Sequence, residues 1–404
     1  MLASGWAAGG DGVWGRVTIG VVAGASGRML PFARHVAAPG EAALVAEALA
    51  SGHVSGDGPF TARAGELLAE RLGAGVLLTT SCTHALELAG LLLGVGRGDE
   101  VVLPSFTFSS TANAFALRGA VVRFADVDPG TFSMEWAQLE AALTPRTRVV
   151  VAMAYGGVMR DLAAIAEGCA ARGIALVEDA AHGLFASAGG RPVGTFGRLG
   201  ALSFHATKNV SCGEGGAIVL NDASLAERAV ILREKGTDRT RFLRGEVDKY
   251  TWQEVGSSYL PSDLLAAVLV AQLEHAEASQ ARRHAIWDVY RAALAPRAAE
   301  LGLGLQVIPP GVAHPAHVFA VTLPARIDRA SLLRGVRESG VAVVSHYEPL
   351  HLAPAHAGRE RLPVTEDVAA RLIRLPLHAA MSEDDAARVA AALLAALERA
   401  GARA

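Results

Sequence analysis

The chain has 404 residues, 51% of them apolar and 19% charged, with a formal net charge of −3. That balance is globular, with apolar material for one large core and a smaller second one. It speaks against a nucleic-acid-binding protein, though a local basic patch suited to a nucleotide diphosphate stays compatible with it. Three cysteines, Cys82, Cys169 and Cys212, are too few and too scattered for a disulfide framework or a zinc site, so a reducing cytoplasm is expected and no metal.

Residues 1–28 are rich in glycine and alanine and lack a basic region followed by a clean apolar run. They are expected to form a disordered leader, neither signal peptide nor membrane anchor. The segment Ile19–Gly27 lacks the spacing and the following acidic residue of a dinucleotide-binding loop. No stretch reaches ~18 apolar residues without a charge or a breaker, so no membrane-spanning helix is expected.

From Gly75 onward, short apolar runs alternate with helical patterns. Val76–Thr80, Val101–Pro104, Val121–Val127, Arg148–Met153, Ile174–Glu178, Ala201–His205 and Ala217–Leu220 read as strands. They are nearly continuous in apolar residues, as strands covered on both faces should be. Between them, Asp161–Arg172 reads as a helix with Leu162, Ile165 and Cys169 on one face. The alternation predicts an α/β fold with right-handed crossovers and a mostly parallel sheet, whose ligands sit beyond the carboxyl ends of the strands. After Asp263, one long helix is expected from Leu264 to about Ala295, with Arg282, Arg283 and Arg291 at polar positions. Beyond it lie strands near Ala316–Leu323 and Val341–Ser345, and helices near Ala330–Ser339, Thr365–Ile373 and Glu383–Ala400. The expected organisation is a large domain over residues 29–280 and a small α+β domain over 281–404.

Four post-strand segments carry the candidate chemistry. Ser81-Cys82-Thr83-His84-Ala85 marks a helix start, which suits either a simple N-cap or a phosphate held by free backbone N–H groups. Pro104-Ser105-Phe106-Thr107-Phe108 brings an aromatic that either stacks on a flat ligand or joins the core. In Val177-Glu178-Asp179-Ala180-Ala181-His182-Gly183, Asp179 follows a strongly apolar strand, where a carboxylate needs a partner. A protonated pyridine nitrogen is one such partner, and a cap on the next turn is the alternative. The most specific segment is Ser203-Phe204-His205-Ala206-Thr207-Lys208-Asn209, followed by Gly213-Glu214-Gly215-Gly216. Only three of the 37 basic residues are lysines, and Lys235 and Lys249 lie among charged neighbours, solvated or facing a substrate. Lys208 alone sits among small and apolar residues, where desolvation lowers an amine's pKa and favours imine chemistry. The glycines beside it are expected to let a phosphate approach.

In their order, SCTHAL, PSFTF, VEDAAHG and SFHATKN–GEGG resemble the nucleotide-sugar aminotransferase (DegT-like) family of fold-type I, aspartate aminotransferase-like enzymes. The similarity runs from about Leu30 to the C-terminus. The stretch Arg233–Leu264 is most similar to the branch aminating TDP-4-keto-6-deoxyhexoses at C4, with L-glutamate as donor. The resemblance implies pyridoxal 5′-phosphate (PLP) attached to Lys208, with Asp179 on the ring nitrogen and Phe108 over the ring. It implies Cys82, Thr83 and Ser203 at the phosphate and His182 near the ring's O3′, where many relatives carry Gln. Tyr155, Lys249, Tyr250, Tyr259, His346 and Tyr347 are the implied sugar contacts, His346 and Tyr347 within a small-domain stretch that closes over the sugar. It also implies a homodimer in which Tyr250–Asp263 enters the partner's site. Leu260 stands where many relatives have an Asn that reaches the partner's phosphate; Ser257, Ser258 or Tyr259 would then take its place.

A sugar dehydratase of this fold would carry histidine in place of Lys208, and a non-enzymatic relative would lack Lys208 or Asp179. A 3-keto nucleotide sugar is the alternative substrate.

Overall fold

The computed structural model describes residues 29–401 except 357 and 359, so the expected leader over residues 1–28 lies outside the described residues. Seven strands form the main sheet: β1 (Gly75–Thr79), β2 (Glu100–Pro104), β3 (Val121–Ala125), β4 (Thr147–Met153), β5 (Ala175–Asp179), β6 (Leu199–Ser203) and β7 (Gly216–Leu220). Their order across the sheet is β1-β7-β6-β5-β4-β2-β3, and only β7 runs against the others. All seven expected strands are present. The one expected over Ala201–His205 instead runs from Leu199 to Ser203, because its pairing with β7 ends where Ser203 meets Gly216.

The continuous apolar runs are explained by cover on both faces. Val101, Leu103, Val149, Val151 and Val177 point to the side packed by the helix Cys82–Leu92. Val102, Val150, Ala152 and Leu176 point to the opposite side, against the helices Leu162–Ala171 and Asp263–Glu274. Period-two alternation thus feeds two cores from one strand, each fully buried Val or Leu side chain contributing about 1.5–3 kcal/mol. Leu162, Ile165 and Cys169 are buried on one face of their helix, as read.

The single helix expected from Leu264 is two, Asp263–Glu274 and Ala276–Leu301, divided at His275, whose backbone (φ −110°, ψ 12°) leaves the helical region. The first packs on the main sheet; Ile286, Tyr290 and Leu294 of the second enter a separate core with the C-terminal sheet. That sheet orders Gly304–Leu305, Phe319–Thr322, Leu372–Leu375 and Val344–Ser345, all antiparallel. The helix expected over Thr365–Ile373 stops at Arg371, and Leu372–Leu375 becomes the central strand of this sheet. An apolar run this short fits either period, and pairing with Phe319–Thr322 decides it. Leu30 bridges to Val341, so the first described residues pack on this C-terminal core.

Arg283 is not at a polar position. It is buried, its Nε donates to the Ala316 carbonyl (3.2 Å) and an Nη to that of His317 (3.0 Å). A guanidinium fork can satisfy two carbonyls at once, and here it fixes a turn in which Ala316 has φ +43°.

Candidate active site

Because β7 is the one antiparallel strand, its first residue lies at the edge where the parallel strands end. There Gly216 pairs with both Thr79 and Ser203. A Cβ on Gly216 would lie 2.2–2.3 Å from the backbone of Ser81 and Cys82, so only glycine lets β7 meet the helix start. Of the glycine run, Gly215 lines the cavity beside Glu214, while Gly216 serves this backbone contact instead of opening room for a ligand.

A cavity of about 580 Å³ opens at this edge. All seven residues expected at a cofactor line it: Cys82, Thr83, Phe108, Asp179, His182, Ser203 and Lys208. Ser81 caps the helix Cys82–Leu92, its Oγ accepting from the His84 N–H at 3.1 Å. The N–H groups of the first turn have no intrahelical partner, so the same helix start is both capped and open to an anion. Phe108 begins the helix Ser109–Ala116 and is 60% exposed, leaving its ring face free.

Period two sends Glu178 and Asp179 to opposite sides of β5. Glu178 accepts from the N–H groups of Gly194 and Gly197, both at 2.7 Å, and burial pushes its carboxyl up to about 7. Asp179, 4% exposed, faces the cavity. Its Oδ2 accepts from the Thr111 hydroxyl at 2.7 Å and its Oδ1 from the Ala181 N–H at 3.1 Å. Burial raises its pKa against the pull of Thr111, Ala181 and Lys208, which marks a carboxylate short of positive charge. Burial likewise brings the Lys208 ammonium down to about 8, although the charge of Asp179 resists. At pH 7 roughly a tenth of such an amine is neutral, against ~0.03% for an ordinary lysine. Burial and the charge of Asp179 push the Cys82 thiol well above its usual value, which keeps it protonated.

The far wall is histidine and tyrosine. His182 Nδ1 accepts from the Gly156 N–H at 3.2 Å, which assigns the ring proton to Nε2. His317 Nδ1 pairs with the Asn209 side-chain oxygen at 2.7 Å. His346 stacks on Tyr347 with ring centroids 3.7 Å apart, and its Nδ1 meets the Tyr155 hydroxyl at 3.1 Å. Burial holds all three imidazoles neutral, His182 and His317 well below the usual range and His346 down at about 2. His346 and Tyr347 line the cavity, and Tyr155 stands behind them, fully buried. Ser105 ties this wall to β2: its Oγ meets His351 Nδ1 at 2.7 Å and its carbonyl accepts from the Leu350 N–H.

Four of the six expected sugar contacts do not line the cavity within one chain: Tyr155 is buried behind its wall, and Lys249, Tyr250 and Tyr259 lie apart from it. Lys249 is exposed, and Tyr250 lines a separate hollow of about 430 Å³ with Lys235, Arg239 and Ser258. Tyr259 is buried against the helix Cys82–Leu92, its ring 5.0 Å from that of His84 and its hydroxyl toward Glu87. Sequence reading missed Phe32, His317 and Arg374, which line the cavity too. Phe32 and Arg374 come from the two ends of the described chain, and no local pattern joins them.

A two-faced, mostly parallel sheet with a lysine, a carboxylate and a helix N-terminus around its strand-end cavity is the arrangement of a fold-type I PLP-dependent transferase. The chain matches the model of the DegT/DnrJ/EryC1/StrS aminotransferase family over residues 37–394, and it belongs to that family. It is similar to the solved aminotransferase TlmJ of Streptoalloteichus hindustanus, with 35% identity, 92% of this chain and 99% of that one covered, and a TM-score of 0.85. It is similar to DesV of S. venezuelae, solved with a ketimine intermediate, at 30% identity, 89% and 95% coverage and a TM-score of 0.81. It is also similar to 3-amino-5-hydroxybenzoic acid synthase, at 27% identity, 92% and 99% coverage and a TM-score of 0.83. The chain is a PLP-dependent sugar aminotransferase of this family.

The residues present fit PLP. The cavity offers a first helical turn for a dianionic phosphate, a buried carboxylate short of positive charge for a pyridinium, and a depressed lysine for an aldehyde. Among the described residues no group of His, Cys, Asp and Glu could hold a metal ion, and no helix is long and apolar enough to cross a membrane.

Proposed function

We propose that the chain moves the amino group of L-glutamate to C4 of a TDP-linked 4-keto-6-deoxyhexose, with Lys208 and Asp179 as its catalytic residues. The observation that carries the site reading is the meeting of Lys208, Asp179 and the Ser81–Thr83 helix start in one cavity. The substrate reading rests on the Arg233–Leu264 stretch, and TDP-4-keto-6-deoxyglucose is its first candidate.

PLP bound here supplies an electron sink for the carbon that carries the transferring nitrogen. Lys208 Nζ would hold the cofactor's aldehyde carbon until the donor's amino group displaces it, and the freed amine would then move the proton at the donor Cα and at the sugar carbon. Asp179 keeps the ring nitrogen protonated, and Thr111 and Ala181 hold its two oxygens in place. The N–H groups of Cys82 and Thr83, with the Ser203 hydroxyl, take the phosphate, and Phe108 covers the ring. His182, protonated on Nε2, donates to the ring's O3′ side. His346 and Tyr347 close over the sugar. The active unit is a homodimer, in which the partner's Tyr250–Asp263 loop, with Lys249 directly before it, adds Tyr250 and Lys249 to this cavity. The exposure of Trp252 (73%) and Val255 (67%) on that loop supports an intermolecular cover.

Incubation of the holoenzyme with TDP-4-keto-6-deoxyglucose and L-glutamate should give a 4-amino-4,6-dideoxyhexose by NMR. A product aminated at C3, or turnover only with a non-nucleotide ketone, overturns the substrate reading.

The neutral fraction of Lys208 sets how fast apoprotein captures PLP. Because the reactive form is the free amine, capture should quicken about tenfold per pH unit below pH 7 and level off above about 8. Stopped-flow absorbance measures this. A midpoint near that of an ordinary lysine would separate Lys208 from cofactor attachment.

A further inference from the structure

His317 lines the cavity, and no step of the proposed reaction uses it. Its segment is held more firmly than an approach to a strand requires. Ala316, just before it, has φ +43°, a conformation uncommon for a residue with a Cβ. The carbonyls of Pro315, Ala316 and His317 all accept from side chains, the first from Asn209 and Gln280 and the other two from Arg283. Backbone in such a region persists where its surroundings over-determine it, and such places cluster at functional sites.

The same contacts set the polarity of the His317 ring. The Asn209 amide nitrogen donates to the Pro315 carbonyl at 2.7 Å and to the Gln280 side-chain oxygen at 3.1 Å, which uses both of its hydrogens. Gln280 cannot be turned over, because its own amide nitrogen donates to the same Pro315 carbonyl. The Asn209 oxygen therefore faces His317 Nδ1, 2.7 Å away, and can only accept. Burial keeps the imidazole neutral, so its one proton sits on Nδ1 and Nε2 is left as a bare acceptor. His182 and His346 have the opposite polarity. Their Nδ1 atoms accept from the Gly156 N–H and from the buried Tyr155 hydroxyl, so each carries its proton on Nε2. Of the polar groups that the C-terminal residues bring to the cavity, Arg374 and His346 donate and the Tyr347 hydroxyl serves either way. His317 alone is fixed as an acceptor.

A hydroxyl needs such an acceptor. Glutamate brings two carboxylates, which only accept, and the amino group that is transferred. A keto-sugar brings hydroxyls, each with a proton to place. Lys208 is the nearest charge acting on His317, and the His182 ring lies 4.3 Å away between centroids, which puts His317 at the reacting end of the cavity.

We propose that His317 Nε2 accepts a hydrogen bond from the sugar hydroxyl beside the reacting ketone, with Asn209 as the positioning residue that holds the ring in that tautomer. In a 4-keto-6-deoxyhexose this is the hydroxyl at C3, since C5 carries none. The inference rests on the 4-keto-6-deoxyhexose reading and adds what the sugar must carry.

The test is single turnover of amine-loaded holoenzyme with TDP-4-keto-6-deoxyglucose and with analogues bearing hydrogen or fluorine in place of the C3 hydroxyl. Wild type should lose about 10- to 100-fold in kcat/KM with either analogue, the scale of a buried acceptor left without its donor. Fluorine, which cannot donate, should do no better than hydrogen. His317→Phe should bring the natural sugar down to the level of the deoxy analogue and erase the preference between them. Its half-reaction with L-glutamate should change by less than about threefold, as expected for a contact that only the sugar makes. Asn209→Ala should relax the preference for hydroxyl over fluorine, because the ring can then carry its proton on either nitrogen; lost stability alone would not move that ratio. NMR of isotope-labelled histidines should show a neutral ring protonated on Nδ1 whose signal is missing from His317→Phe. Equal rates with the hydroxyl and fluoro sugars in wild type overturn the inference, and that arm needs no variant. A loss in His317→Phe shared equally by every sugar and by glutamate overturns it by assigning His317 to Lys208 or the cofactor, and an unchanged ratio in Asn209→Ala removes the positioning role. Failure of the natural 4-keto sugar to turn over sinks the substrate reading instead, while a His317 ring protonated on Nε2 overturns the present inference whatever the sugar.

Discussion

Asp179→Asn should slow the half-reaction with L-glutamate by about 10⁴-fold, the scale seen when an orienting carboxylate is neutralised in another enzyme. The substitution keeps size and removes only the charge. The local hydrogen bonds survive it: the amide oxygen can take the Ala181 N–H, and the Thr111 hydroxyl can turn to accept from the amide nitrogen. Thr111 keeps its second contact, with the Thr107 hydroxyl at 2.8 Å. Fold stability should therefore move by no more than about 1 kcal/mol, while the rate loss corresponds to about 5 kcal/mol of barrier. That separation is the decisive measurement. PLP affinity should fall far less than the rate, because the phosphate cradle and Lys208 are untouched. Single-turnover absorbance with glutamate, beside a cofactor titration, reads both. Near-normal turnover in Asp179→Asn would mean that the ring nitrogen lies elsewhere.

How much of this was legible in the sequence follows from how local each signal is. The main-sheet strands announce themselves because cover on both faces forces runs such as Val101-Val102-Leu103 to be apolar throughout. The residues directly after them, Asp179, Ser203 and Lys208, inherit their position from the strand ends. Arg374 was hidden for the opposite reason. Its four-residue strand follows the helix Pro363–Arg371 without a breaker, so the helical pattern absorbs it. Arg283 misled because a cation on an amphipathic helix is ordinarily solvated, and only the tertiary turn at Ala316–His317 gives it two buried carbonyls. Tyr259 reads as a polar-tipped aromatic in a functional loop, yet the loop lays that ring on the helix Cys82–Leu92. Long-range pairings of this kind leave no periodic trace.

Lys208→Ala should abolish steady-state turnover, with a loss of at least about 10⁴-fold. A positioned proton carrier alone is worth ~10²–10⁴, and the same side chain also holds the cofactor. The chain makes the assignment unusually clean, because lysine occurs only at Lys208, Lys235 and Lys249. Wild-type holoenzyme should lose its visible band on borohydride treatment, and peptide mapping should place the pyridoxyl group on Lys208. Lys235 is held by Glu234, its Nζ 2.9 Å from the carboxylate, and Lys249 is exposed; neither lines the cavity. Lys208→Ala should still take up PLP through the helix start and Asp179, without the band that borohydride removes. A small primary amine such as methylamine, added to Lys208→Ala, should restore part of the proton transfer with glutamate in proportion to its concentration, since it replaces a missing base and not a missing scaffold. An adduct on Lys235 or Lys249, or full turnover in Lys208→Ala, would remove Lys208 from the chemistry. Absence of amine rescue together with loss of PLP binding would instead make Lys208 an anchor and require another base at the Cα proton.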